Sequence, residues 1–200
     1  MTHASAWSLI QWLSVKRRWL KLLAVLALGG ILSQWLYRRH REQRYDPLIL
    51  AAADRYRIDP ALVKAVIWRE SRFKPNAQGS VGEIGLMQVR DAAAHEWASA
   101  ERRSGFSARQ LFDPDTNIYA GSWYLADLLK RYRATDDPVP YALADYNAGR
   151  THVLRWMRGA AKTNSAVFLA QMDYPGTRRY IASVRERCEH YKPAISVAKK

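Results

Sequence analysis

Glu70 is the residue whose type and position first point to chemistry. It ends the run Ala61–Glu70, and at helical spacing it shares a face with Val63, Val66 and Ile67. An unpaired charge on an apolar stripe costs several kcal/mol to bury. The carboxyl's response is to hold its proton to higher pH. A carboxyl group protonated near neutrality is what acid catalysis of glycosidic bond cleavage requires. The same place at a helix end would also let the side chain turn to solvent, so this position leaves both outcomes open.

Other candidates are few. Glycoside hydrolysis in its common form uses two carboxylates flanking the bond. Glu83, Asp91 and Asp145 are the available partners for Glu70. Cys188 is the one cysteine, so the chain can form no internal disulfide and no cysteine–histidine metal cluster. Its expected place is a half-buried position on a helix.

The elements that must position these groups are helical. No sustained alternating pattern, internal repeat or low-complexity tract interrupts the chain beyond residue 46. Asp46-Pro47, Asp59-Pro60 and Asp113-Pro114 each pair an N-cap acid with proline at the first helical position. Thr151 and Thr177 are further cap candidates. The expected helices cover 47–56, 60–71, 85–100, 114–133, 139–146, 151–159, 165–172 and 177–190. The segment 114–133 has apolar residues spread widely enough for a central, largely buried helix.

The first 45 residues differ in character. Residues 19–37 are mostly apolar with a single charge, Lys21, and with Trp19, Trp35 and Tyr37 near the ends. A spanning helix needs about 20 such residues, with aromatics at the interfaces. No small-residue cleavage site follows the run, and no cysteine follows to carry a lipid. The expected order is a short basic segment at 1–18, a transmembrane anchor at 19–37 and a basic linker at 38–45. A helical domain at 46–190 and a basic tail at 191–200 complete it. Lys16, Arg17, Arg18 and Lys21 on one side balance Arg38, Arg39, Arg41 and Arg44 on the other, so charge does not orient the span. The net charge of +14 divides equally between residues 1–45 and 46–200. A basic domain favours anionic surfaces, but no basic stripe interleaved with aromatics or zinc-finger spacing supports nucleic-acid binding.

Three segments carry a family resemblance. Glu70-Ser71, Phe73, Pro75, Gly82 and Gly85-Leu86-Met87-Gln88 resemble the first signature of the soluble lytic transglycosylase (SLT) domain, a goose-lysozyme-like family. Asp145-Tyr146-Asn147-Ala148-Gly149 is similar to its second signature, and Gly176-Thr177-Arg178-Arg179-Tyr180 to its third. The resemblance spans roughly residues 46–190 and implies an all-α, lysozyme-like (goose-type) SLT domain preceded by one N-terminal transmembrane helix. It implies that Glu70 is the catalytic acid and base, and that Met87, Gln88, Tyr146, Asn147 and Tyr180 line the sugar-binding groove. The implied substrate is the glycan strand of bacterial peptidoglycan, cut without water to leave a 1,6-anhydromuramic end. No metal or cofactor is implied, and no protein partner can be read. The implied location is the inner membrane, single-pass, with the domain facing the periplasm.

Departures from the family pattern are local. Gly79 stands where the family has a turn serine that hydrogen-bonds the catalytic glutamate, with Ser80 or a backbone N–H as candidate replacements. Gly176 replaces a glutamate, and Asp145 a small residue. A hydrolytic muramidase, with Asp145 or Asp91 as base, and a non-catalytic wall-binding or assembly protein are the competing readings.

Overall fold

The computed structural model describes the backbone of residues 4–198 and the side chains of residues 19, 21 and 23–195. It divides into two units at residue 43. The first unit is one helix, α1 (Ala4–Gln43). The segment expected as a linker thus continues the helix through Gln43. Among the described residues, no helix is long and apolar enough to cross a membrane. The expected anchor contains Leu20 and Leu22, whose side chains lie outside the described residues.

The second unit is all-α among the described residues. It comprises α2 (Asp46–Tyr56), α3 (Pro60–Ser71), α4 (Asp91–Ala100), α5 (Pro114–Arg131), α6 (Pro138–Ala148), α7 (Arg150–Trp156), α8 (Ser165–Gln171) and α9 (Pro175–Ala198). Short 3-10 turns precede α5 and α8. Helix α3 lies between α2 and α9, α5 packs on α2, α4 and α6, and α6 reaches α9. The most enclosed helix is α3, buried continuously from Pro60 to Ile67, whereas Tyr119, Trp123, Tyr124 and Leu129 of α5 are only partly covered. Lys64, in the middle of α3, is buried because its ammonium pairs with Asp46. That pairing also accounts for a difference at α2. Asp46 is its first residue and makes no side-chain cap, since Tyr45 holds the N-cap position.

Asp59 and Asp113 cap as their sequence context predicts, accepting from the Ala61 and Thr116 backbone N–H groups. Asp137 and Asn164 cap α6 and α8 in the same way. Thr151 and Thr177 are not caps; both lie inside helices, and Thr177 donates to Asn147 instead. Helix α9 runs past residue 190 to Ala198 with Pro193 inside it. Cys188 is buried on α9, and burial pushes its thiol up to about 11.

The largest difference from the expected helices lies before α4. Residues 85–90 are not helical; they form a tight loop with isolated bridges joining Gln78 to Ile84 and Ile84 to Val89. Buried Asn117 of α5 is the cause. Its side chain accepts from the Met87 N–H at 2.8 Å and donates to the Ile84 and Leu111 carbonyls, both at 2.8 Å. Gly85 has φ +80, and a Cβ there would strike both Asn117 and the Leu111 carbonyl. Gln88 holds φ +49 in the same loop. A side chain that satisfies three backbone groups replaces the helical ladder.

Candidate active site

Helix α3 sets Glu70 at the edge of the core. Val63, Val66 and Ile67 on the shared face are fully buried, and Glu70 itself is partly so, at the floor of a cleft of about 240 Å³. Desolvation, the largest effect, pushes its carboxyl up to about 7. A hydrogen bond from Tyr180 and the Arg69 charge oppose this shift, and the Glu83 charge adds to it. The Tyr180 hydroxyl donates to Glu70 Oε1 at 2.6 Å. Burial, reinforced by the neighbouring Glu70 charge, raises that hydroxyl well above its ordinary value, so it stays a donor.

Gln88, Tyr146 and Asn147 line the same cleft. Gln88 spends its amide N–H groups on the Ala77 and Gly85 carbonyls, at 3.1 and 2.9 Å, which fixes its plane and leaves its carbonyl as an acceptor. Asn147 accepts from Thr177 at 2.9 Å, leaving its N–H groups as donors towards the cleft. Tyr146 donates to the Met87 carbonyl at 2.7 Å and leans on Tyr124, ring centroids 5.5 Å apart.

Tyr180 and Met87 are placed differently from the other expected groove residues. Tyr180 is 1% exposed and reaches the site through Glu70. The Met87 side chain is fully buried against Gly121 of α5, where any larger residue would collide with it. What Met87 offers the site is its backbone carbonyl, which anchors Tyr146.

Ser80 does not take over the missing turn hydroxyl. It is exposed, and among the described residues Tyr180 is the group that donates to Glu70. Of the three candidate second carboxylates, Asp91 is exposed beside His95, outside the cleft lining. Asp145 lines the cleft but is 2% exposed, bonded to Arg131 at 3.1 Å and to the Tyr132 hydroxyl at 2.6 Å. Glu83 faces the cleft, held by Arg90 Nε and Nη2 at 3.2 and 3.0 Å and by the Val81 N–H at 3.2 Å. Desolvation pushes the Glu83 carboxyl up, but its backbone hydrogen bonds and Arg90 outweigh that and hold it below the usual carboxylate range. Tyr124, Arg90 and Glu96 also line the cleft and have no motif in the sequence. Tyr124 is readable only as an aromatic three residues beyond Gly121, on the side of α5 that meets the loop. Among the described residues, no cluster of three or more metal-binding side chains occurs.

The geometry can be set beside known proteins. The family model of the transglycosylase SLT domain matches residues 47–169. The chain is 41% identical over 116 residues to the membrane-bound lytic murein transglycosylase F of Desulfosudis oleivorans, covering 56% of this chain and 24% of that protein. It is 32% identical over 172 residues to the membrane-bound lytic murein transglycosylase C of Yersinia pestis, covering 76% and 48%. The solved structure of the 70 kDa soluble lytic transglycosylase from Escherichia coli superposes with a TM-score of 0.68 at 26% identity, over 78% of this chain and 26% of that one. The chain thus spans between about a quarter and about half of the length of these two curated relatives.

Proposed function

The chain belongs to the transglycosylase SLT domain family and has its all-α, lysozyme-like fold, and from that premise we propose that it is a peptidoglycan lytic transglycosylase with Glu70 as its catalytic acid and base. The observation that carries this reading is Glu70 itself, a cleft acid at the end of a buried helix, pushed up to about 7 and held by the Tyr180 hydroxyl. Such a group is protonated at the start of a reaction near neutrality and becomes a competent base once it has lost that proton.

In the mechanism that the family implies, Glu70 gives its proton to the oxygen bridging N-acetylmuramic acid and N-acetylglucosamine. The C1–oxygen bond breaks, and the muramic acetamido oxygen stabilises the cation, as in substrate-assisted glycosidases. The Glu70 carboxylate then takes the proton of the same sugar's 6-hydroxyl. The 6-oxygen closes on C1, giving the anhydro ring with no water consumed. Holding that hydroxyl against C1 is a proximity effect. The Gln88 carbonyl and the Asn147 amide N–H groups supply one acceptor and one donor side for hydroxyl and acetamido groups, and Tyr146 supplies a ring face. Asp145 is occupied by Arg131 and Tyr132, which favours this one-acid scheme over water activation by Asp145.

The reading extends to location. Residues 19–37 serve as a single-pass inner-membrane anchor, with the domain facing the periplasm, where the substrate lies. In support, Leu23, Val25, Leu26, Leu28, Ile31 and Leu32 of α1 are each more than half exposed, and an apolar surface on every side of a helix suits lipid. Both curated relatives also have "membrane-bound" in their names.

The test is mass spectrometry of products released from purified sacculi by the full chain in detergent, beside Glu70→Gln. Anhydromuropeptides from the wild type, reduced by several orders of magnitude in the variant, are the expected result. Reducing muramic ends would make the chain a hydrolase. Retained turnover by the variant would remove Glu70 from its role.

A further inference from the structure

The departure from the family pattern at position 79 meets a charged side chain. Position 79 has no side chain, and the space beside it is filled by the Glu83 carboxylate, which any Cβ there would strike. The two residues also close the turn between them, with the Gly79 N–H donating to the Glu83 carbonyl at 2.8 Å. The carboxylate is fixed from two further sides, by Arg90 through Oε1 and by the Val81 N–H through Oε2. It lines the cleft that Glu70 opens into, close enough for its charge to act on Glu70.

We propose that Glu83, clamped by Arg90 beside Gly79, is a positioning residue for Glu70, governing it by a fixed charge where the family pattern has a turn hydroxyl. This inference rests on the reading of Glu70 as the acid. A negative charge nearby makes loss of a proton from Glu70 harder, which keeps the acid loaded until the bridging oxygen accepts it. Other groups act on Glu70 from each side: Arg69 on its own helix, Tyr180 on α9 and Tyr146 on α6. Arg69 and Tyr180 favour the ionised form; desolvation, the largest effect, opposes them, and the Glu83 charge adds a smaller push in the same direction. Glu96 and Asp145 also line the cleft, and Asp145 is tied to Arg131.

The experiment is a side-chain carboxyl titration of Glu70 by NMR in the full chain in detergent, assigned with Glu70→Gln. Glu83→Gln preserves the shape and the acceptor for Val81 while removing the charge. The Glu70 midpoint should move to lower pH in this variant, and the alkaline limb of the rate profile on sacculi should move with it. Gly79→Ala, whose Cβ forces the carboxylate from its place without adding a hydroxyl, should move the midpoint the same way with Glu83 still present. An unmoved midpoint in Glu83→Gln would overturn the inference, even if turnover fell. A wild type that titrates as expected but releases no anhydromuropeptides would instead remove the proposed activity, while the titration still decides the coupling.

Discussion

Glu70 is stabilised as an acid by the same burial that makes its anion costly. Its carboxyl titrates at about 7 in the folded chain against an ordinary value of 4.5. The folded state therefore binds the proton more tightly than the unfolded chain. The contribution to stability is full below pH 4.5 and is lost as pH rises through 7. That difference in proton binding corresponds to on the order of 3 kcal/mol. Glu70→Gln carries no titrating group, so its stability relative to the wild type should improve by about that amount between pH 4.5 and 8.5. Denaturant midpoints of both proteins at the two pH values measure this. A constant difference would mean that the carboxyl is not desolvated in the folded chain. Activity should follow the opposite course, since the variant has no proton to give.

At the scale of elements, the site depends on α5 holding the 84–89 loop in its shape. Asn117 does this with three hydrogen bonds, and Gly85 and Gly121 leave room for Asn117 and Met87. Asn117→Ala would leave the Met87 N–H and the Ile84 and Leu111 carbonyls without that partner. A buried group left unpaired costs about 1–3 kcal/mol, so the variant should lose roughly 3 kcal/mol in urea denaturation. Loss of the loop's shape would move Gln88 and the carbonyl that anchors Tyr146, so turnover per folded molecule should fall about tenfold or more. Full turnover in a destabilised variant would show that the loop keeps its shape without α5.

At the scale of the whole molecule, a basic all-α unit follows in the chain a helix that exposes apolar side chains between Leu23 and Leu36. Both features bear on where the protein works. If residues 19–37 span the membrane as proposed, the full chain should stay in the pellet after alkaline carbonate extraction of bacterial membranes. Release into the supernatant would mean attachment by charge alone, which the net +14 could supply on an anionic bilayer. The distinction matters for the proposed function, because a spanning anchor would restrict the cleft to substrate within reach of the bilayer.

Much of this protein was legible in the residues. Aspartate–proline pairs marked the starts of α3 and α5 because cap and proline act locally. The apolar face shared by Val63, Val66, Ile67 and Glu70 exposed the acid because helical periodicity is itself local. The three signatures gave the family. Tertiary structure decided what depends on distant partners. Asn117, 30 residues away from Met87, turned an expected helix at 85–90 into a loop. Tyr180, 110 residues away from Glu70, is the donor that orients the acid, and Met87 contributes a carbonyl in place of a side chain. Asp46 left its cap for Lys64, and Glu83 filled the place that Gly79 vacates. Apart from Gly79 and Glu83, which are four residues apart, each case joins polar groups distant in sequence that satisfy one another in the folded chain, and local propensity carries no record of such pairings.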